Sequence, residues 1–156
     1  MEVGNALLMP AFMVFICVTL EQSLSWWFAL VCIPMCALLV IGGLYWRAKL
    51  HQLEGKPETL KTFLPIAGAC KLPLAILSFG ALFVCAWAWF TGAGASTGDR
   101  VVITIAAVLA ALEYVNYYHR QLQHFDHAAD FKRLISGRGF RSAQLAVDLA
   151  RMRRKN

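Results

Sequence analysis

The stretch LSWWFALVCIPMCALLVIGGLYW, residues Leu24–Trp46, decides the fold class because it contains no charged side chain. A helix needs about 20 predominantly apolar residues to cross a bilayer, and this stretch is long enough. Trp26 and Trp27 stand near one end of it, and Tyr45 and Trp46 form the other end. Such aromatic rings prefer headgroup depth, so the pattern predicts a transmembrane helix.

Three further apolar segments predict additional spans at about residues 4–20, 72–90 and 101–118. Across the chain, 59% of the residues are apolar and 15% are charged, whereas soluble domains average about 45–50% and about 25%. The sequence therefore predicts an all-α integral membrane protein with a four-helix transmembrane domain, residues 1–119.

Two details refine these spans. Four alanines of the last span form small-xxx-small pairs, which let helix backbones approach closely in lipid, so this span is predicted to be the most deeply buried. The apolar residues 63–70 either extend the third helix or lie in the interface, because Pro65 and Pro73 favour a break or kink there. The four alanines are Ala106, Ala107, Ala110 and Ala111.

The distribution of basic residues predicts the orientation. Five Lys or Arg lie from Arg47 to Lys71, and nine lie in the tail from Arg120 onward. The segment 91–100 holds only Arg100, and the segment 21–25 holds none. Because cations accumulate on the cytoplasmic side, we predict that both termini are cytoplasmic, most simply in an inner or plasma membrane. Anionic lipid headgroups at that face are the expected lipid partners.

Residues 120–156 are predicted to form a basic cytoplasmic tail with an amphipathic helix-turn-helix structure. No Pro or Gly interrupts Val101–Ile135, so we expect the last span to continue as one helix to about Ile135. A turn is expected at Ser136–Gly139, and Ser142 is expected to cap a second helix. The apolar face of that helix is predicted to be Leu145, Leu149 and Met152.

The cationic end of the tail is expected to contact lipid or a partner protein. The basic residues concerned are Arg151, Arg153, Arg154 and Lys155. The formal charge of +6 does not by itself indicate nucleic acid, because the cations flank apolar segments. We therefore predict no nucleic-acid partner.

Glu113 is the candidate intramembrane polar site. It lies roughly 18 Å along the helix from Val101, at about 1.5 Å per residue, and so inside the hydrocarbon. A carboxylate there is costly and faces either a cavity or a partner, so an ion-handling site and a structural anchor both stay open. Asn116 lies one turn away, and Lys71 is the candidate ionic partner.

Histidine and aspartate side chains share one stripe of the predicted tail helix, and imidazole with carboxylate suits zinc, iron or nickel. The candidate ligands are His119, Asp126, His127 and Asp130, although a solvated polar face explains the same pattern. No named metal or cofactor motif is present, and we predict no cofactor.

In size and span count the chain resembles the four-helix membrane oxidoreductases that generate disulfides. That family requires a CxxC near the outer face and a second cysteine pair in an outer loop. This sequence has Cys32 and Cys36 as CxxxC inside a helix and no cysteine in Thr91–Arg100. The five cysteines are most simply read as small apolar packing residues.

These observations favour a membrane-anchored interaction or assembly subunit that acts through its tail, as a homo-oligomer or in a larger complex. The first alternative is an oligomeric small channel or transporter that uses Glu113. The second is a redox or metal-dependent membrane enzyme, so whether the protein is an enzyme stays open.

Overall fold

The computed structural model describes residues 2–122, 132, 135–137 and 139–154. Its described residues include five α-helices with defined bounds, and one isolated antiparallel bridge joins Arg120 and Ser142 outside them. The helices are α1 Glu2–Thr19, α2 Trp26–Leu53, α3 Glu58–Thr91, α4 Thr97–Tyr118 and α5 Gln144–Arg153.

Helices α1 to α4 run up and down as a bundle, because the connections between them are short. We call the end with turn 54–57 and the C-terminus of α4 the basic end, and the end with segments 20–25 and 92–96 the Asp99 end. Helix α2 packs against α1, α3 and α4, whereas α1 packs mainly on α2.

The small side chains of α4 form the centre of the bundle. Ala106, Ala107 and Ala110 are fully buried, as is Ile103 one turn earlier. Close approach of helix backbones at small residues explains this packing. The fourth span is well buried, but it is not the most deeply buried one as predicted, because α2 is buried to the same extent. Ala111, the last of the four alanines, is only half-buried.

Helices α2, α3 and α4 are each long and apolar enough to cross a membrane, and α1 is a shorter apolar helix. Helices α2 and α3 extend farthest beyond their predicted spans. Helix α2 continues past Trp46 to Leu53, and α3 begins at Glu58. Pro65 and Pro73 lie inside α3 without ending it, so residues 63–70 are part of this helix and not a separate interfacial piece.

A cysteine compensates for the proline in α1. Pro10 has no backbone N–H, so the carbonyl of Ala6, four residues earlier, loses its helical donor. The Cys36 thiol of α2 donates to that carbonyl oxygen, with 3.2 Å between sulfur and oxygen. A side chain from a neighbouring helix thus satisfies the freed backbone group, as is typical in apolar surroundings.

Replacing Cys36 with alanine is expected to lower the free energy of unfolding by about 1 kcal/mol, because the Ala6 carbonyl then lacks a donor. Cys36→Ser keeps a donor and is the matched control. Thermal unfolding in detergent measures both variants. Equal losses in the alanine and serine variants would show that the hydrogen bond contributes nothing.

The prediction of one helix from Val101 to Ile135 is wrong, because α4 ends at Tyr118. His119 leaves the helix with φ −134° and ψ −69°. The Leu122 N–H donates to the Asn116 side-chain oxygen at 2.8 Å, and Arg120 pairs with Ser142. Tertiary hydrogen bonds therefore end the helix where no Pro or Gly does.

The second tail helix exists as α5, but Ser142 does not cap it. Ala143 occupies the N-cap position, and no side-chain hydrogen bond is made there. Ser142 is engaged in the bridge with Arg120 instead. Ser136 and Gly137 form part of the expected turn, with Gly137 at φ +71°.

Candidate functional site

Helix α5 folds back onto the basic end of the bundle, against α3 and α4. Leu145 and Leu149 are buried there and Met152 is half-buried, so the predicted apolar face is confirmed. A Cβ on Gly68 of α3 would meet the Leu149 side chain at 3.4 Å. Leu149 therefore packs directly against α3 at Gly68.

Asp148 joins α5 to α2 through a buried carboxylate. Only 7% of this residue is exposed. The Tyr45 hydroxyl donates to Asp148 Oδ2 at 2.8 Å, and Lys49 Nζ lies 2.8 Å from the same oxygen. Tyr45 and Lys49 are four residues apart on α2 and therefore project from the same face of the helix. We call Asp148, Tyr45 and Lys49 the docking triad.

A second set of bonds connects α5 to the end of α4. The Ala143 N–H donates to the His119 carbonyl at 3.1 Å, and the Gln121 N–H donates to the Arg141 carbonyl at 2.9 Å. Nearby, the Tyr118 hydroxyl donates to the Ala67 carbonyl of α3 at 2.8 Å. The segment before α5 is thus held at the point where α4 ends.

The structure places Glu113 beside Asn116, as the sequence predicted from their spacing. Glu113 is half-buried, and the Asn116 amide donates to its carboxylate at 3.4 Å. The oxygen of the Asn116 side chain accepts from Leu122 N–H. Asn116 therefore connects Glu113 to Leu122, in the segment that follows α4.

Lys71 does not form an ion pair with Glu113, for which it was the candidate partner. Among the residues that the structure describes, the ion pairs are Lys49–Asp148, Lys61–Glu58 and Arg151–Asp148. Lys71 is half-buried near His119 instead. Loss of part of its hydration, together with the positive charge of Lys71, lowers the pKa of the His119 imidazole.

Of the candidate metal ligands, His119 is exposed just beyond α4, and Asp126, His127 and Asp130 lie outside the described residues. Within the described residues, no group of three or more His, Cys, Asp or Glu side chains has metal-binding geometry. All five cysteines are free thiols.

The terminal cations are exposed where they are described. Arg151, Arg153 and Arg154 have exposed side chains, and Lys155 lies outside the described residues. Arg151 lies 3.8 Å from Asp148 on the preceding turn of α5.

A cleft of about 470 Å³ opens between α5 and the α2–α3 turn. Its apolar surface comes from Leu60, Leu64 and Met152, and Lys61 and Arg151 supply positive charge. Gln52, Pro57 and the Asp148 of the docking triad complete its lining.

Asp99 forms a separate polar centre at the opposite end, and sequence reasoning did not single it out. Its side chain is fully buried and accepts from Ser25 N–H at 3.1 Å and from Ala95 N–H at 2.9 Å. Ser96 Oγ accepts from Asp99 N–H and donates to the Ser23 carbonyl. The Ser-x-x-Asp pattern before an apolar run was the available signal.

Asp148 was missed as well, although its signal was present. At helical spacing it falls on the same face as Leu145, Leu149 and Met152. A carboxylate on an apolar face requires a partner, because an unpaired buried charge is costly.

No protein-family model, curated protein or solved structure matches this chain. Its class is therefore defined by its own architecture, a helical protein with three helices long and apolar enough to span a membrane.

Proposed function

We propose that this protein is a small membrane-anchored interaction or assembly subunit, in which α5 and the basic end form the surface that a partner protein contacts. In this proposal the chain crosses an inner or plasma membrane four times, with both termini in the cytoplasm. The protein acts as a homo-oligomer or within a larger membrane complex.

The lengths of α2 and α3 support an extramembrane platform. Helix α2 has 28 residues and α3 has 34. At about 1.5 Å per residue they measure about 42 Å and about 51 Å, against a hydrocarbon core of about 30 Å. Both helices are therefore longer than the hydrocarbon core is thick. The polar residues of the parts that extend beyond the core lie at the basic end.

The fourth span in this proposal is α1. Its 18 residues measure about 27 Å at about 1.5 Å per residue, close to the thickness of the core. Large apolar side chains cover its free face, including Leu7, Phe12 and Phe15, which are 77%, 58% and 64% exposed. The accumulation of basic residues at the basic end supports a cytoplasmic location for that end.

The docking triad is the observation that carries the proposal. Helix α5 has 10 residues, and isolated helices shorter than about 12–15 residues are marginal in water. The helical structure of α5 therefore depends on its docking to the bundle, and the buried Asp148 carboxylate holds α5 in one position. Docking in this way presents the outer face of α5, including exposed Ala150, to the cytoplasm as a rigid surface.

A photo-crosslinking amino acid at Ala150 tests the proposal in native membranes. We expect a discrete protein adduct of fixed stoichiometry, either with a second copy or with another protein. Leu77, which is 44% exposed near the middle of α3, is the control position and is expected to yield lipid adducts. A monomer with no protein adduct at Ala150 would contradict the proposal.

The partly buried carboxylate of α4 favours the second candidate function, an oligomeric channel or transporter. Glu113 lies five residues before the end of α4, or about 7–8 Å at about 1.5 Å per residue. Ion or solute flux into proteoliposomes, compared with the Glu113→Gln variant, tests this candidate. Unchanged flux in that variant would remove Glu113 from any transport mechanism.

A further inference from the structure

We propose that the cleft between α5 and the α2–α3 turn binds the phosphate group of an anionic phospholipid. The cleft combines two cationic side chains, Lys61 and Arg151, with apolar side chains from α3 and α5. This combination matches a lipid with a charged headgroup and apolar acyl chains. The inference deepens the proposed function, because it rests on the same basic end lying at the membrane surface.

The depth of the cleft agrees with headgroup binding. Counted from Trp87 at the far end of α3, Leu64 lies about 35 Å away and Lys61 about 39 Å away, at about 1.5 Å per residue. The hydrocarbon core is about 30 Å thick, and the bilayer with its headgroups is about 40–45 Å thick. Both residues therefore fall in the layer that contains the phosphates.

The ion pairs around the cleft leave the Arg151 guanidinium available to bind a phosphate group. The Asp148 carboxylate is already satisfied by Tyr45 and Lys49, both at 2.8 Å. Arg151 approaches it only at 3.8 Å, and its side chain is 74% exposed. A guanidinium has five N–H donors, so Arg151 retains donors for phosphate oxygens.

Lys61 is the second cation of the cleft. It pairs with Glu58 at 2.7 Å, and the side chains of both are largely exposed. A surface pair of this kind is worth little, typically about 0–1 kcal/mol, so it does not prevent Lys61 from contacting a phosphate. Together, Lys49, Lys61 and Arg151 exceed Asp148 and Glu58 by one positive charge.

The apolar part of the cleft continues toward lipid. Leu60 and Leu64 are buried on the cleft side of α3. Leu72 lies about three helical turns after Lys61 on the same face of α3, and it is 68% exposed. An acyl chain attached to a headgroup in the cleft can therefore pack along α3, which a soluble phosphate compound cannot do.

Native mass spectrometry of the full chain in detergent tests this inference with two lipids of identical acyl chains, phosphatidylglycerol and phosphatidylcholine. We expect the wild type to prefer phosphatidylglycerol by about tenfold or more, since each cation near a membrane surface contributes about 1 kcal/mol. The double variant Lys61→Gln/Arg151→Gln is expected to lose most of that preference. The control Arg47→Gln/Lys56→Gln removes two exposed cations that do not line the cleft, and it is expected to keep the preference for phosphatidylglycerol.

Three outcomes would overturn the inference. If the two double variants lose the preference for phosphatidylglycerol equally, the preference comes from the overall charge of the protein and not from the cleft. Displacement of phosphatidylglycerol by glycerol phosphate at similar concentration would indicate a site for a soluble phosphate. Displacement by hexaglutamate would indicate an acidic peptide as the occupant.

The two proposals can fail separately. A wild type without lipid preference that still forms the Ala150 protein adduct contradicts the lipid site alone. Retained lipid preference without that adduct contradicts the interaction platform alone.

Discussion

Replacing Asp148 with alanine is expected to release α5 from the bundle. The change leaves the Lys49 ammonium and the Tyr45 hydroxyl without their acceptor in a largely buried place. Breaking a fully buried ion pair costs about 3–5 kcal/mol. Because the Lys49 side chain is 25% exposed, water recovers part of that loss, and we expect about 2–3 kcal/mol.

Hydrogen exchange of the α5 amides measures this effect. A loss of about 2–3 kcal/mol corresponds to about 30- to 150-fold faster exchange across Gln144–Arg153. The matched control is Arg153→Ala on the same helix, where the side chain is exposed and little change is expected. Unchanged α5 protection in the Asp148 variant would mean that apolar packing alone holds the helix.

The same variant connects structure to the proposed function. If α5 must be docked to present its outer face, Asp148→Ala also reduces the protein adduct formed at Ala150. An adduct that persists after α5 has lost its protection would show that the partner does not require the docked helix.

Replacing Asp99 with alanine is expected to destabilise the opposite end of the bundle. The Ser25 and Ala95 N–H groups then lose their shared acceptor, and an unsatisfied buried donor costs about 1–3 kcal/mol. Ser25 is half-buried and Ala95 is exposed, so water recovers part of this cost and we expect a total loss of about 2–4 kcal/mol. Because Ser25 precedes α2 and Ala95 precedes α4, the substitution also removes one of the links between these two connections, while the Ser96–Ser23 bond remains.

Thermal unfolding in detergent measures this loss, with Thr97→Ala as the control in the same turn. Thr97 is exposed and is expected to change stability by less than about 0.5 kcal/mol. Equal unfolding temperatures for the two variants would show that the Asp99 bonds are replaced by water without cost.

The helix boundaries show where local sequence stops being informative. Trp46 was the predicted end of the second span, yet α2 continues to Leu53, because interface aromatics indicate membrane depth and do not terminate a helix. Likewise, α3 passes through Pro65 and Pro73 without ending. Neighbouring helices supply packing that offsets the lost backbone hydrogen bond at each proline.

The candidate site was predicted only in part. The proximity of Glu113 and Asn116 follows from helical spacing, and the structure contains their contact. The docking triad joins residues about a hundred positions apart in the chain, with Tyr45 and Asp148 separated by 103 residues. Tyr45 had a sufficient explanation as an interface aromatic and Lys49 as a topology-setting cation, so neither suggested the other.

The sequence by itself determined the helical class, the apolar segments and the apolar face of α5, because these follow from composition and from a period of about 3.6 residues. Only the tertiary structure decided that α4 ends at Tyr118 and that α5 docks against α3 and α4 with Asp148 bonded to α2. Both depend on hydrogen bonds and charge pairing between distant segments: Asn116 with Leu122, Arg120 with Ser142, and Asp148 with Lys49. Such contacts form only once the bundle has brought those segments together, and no local pattern specifies them.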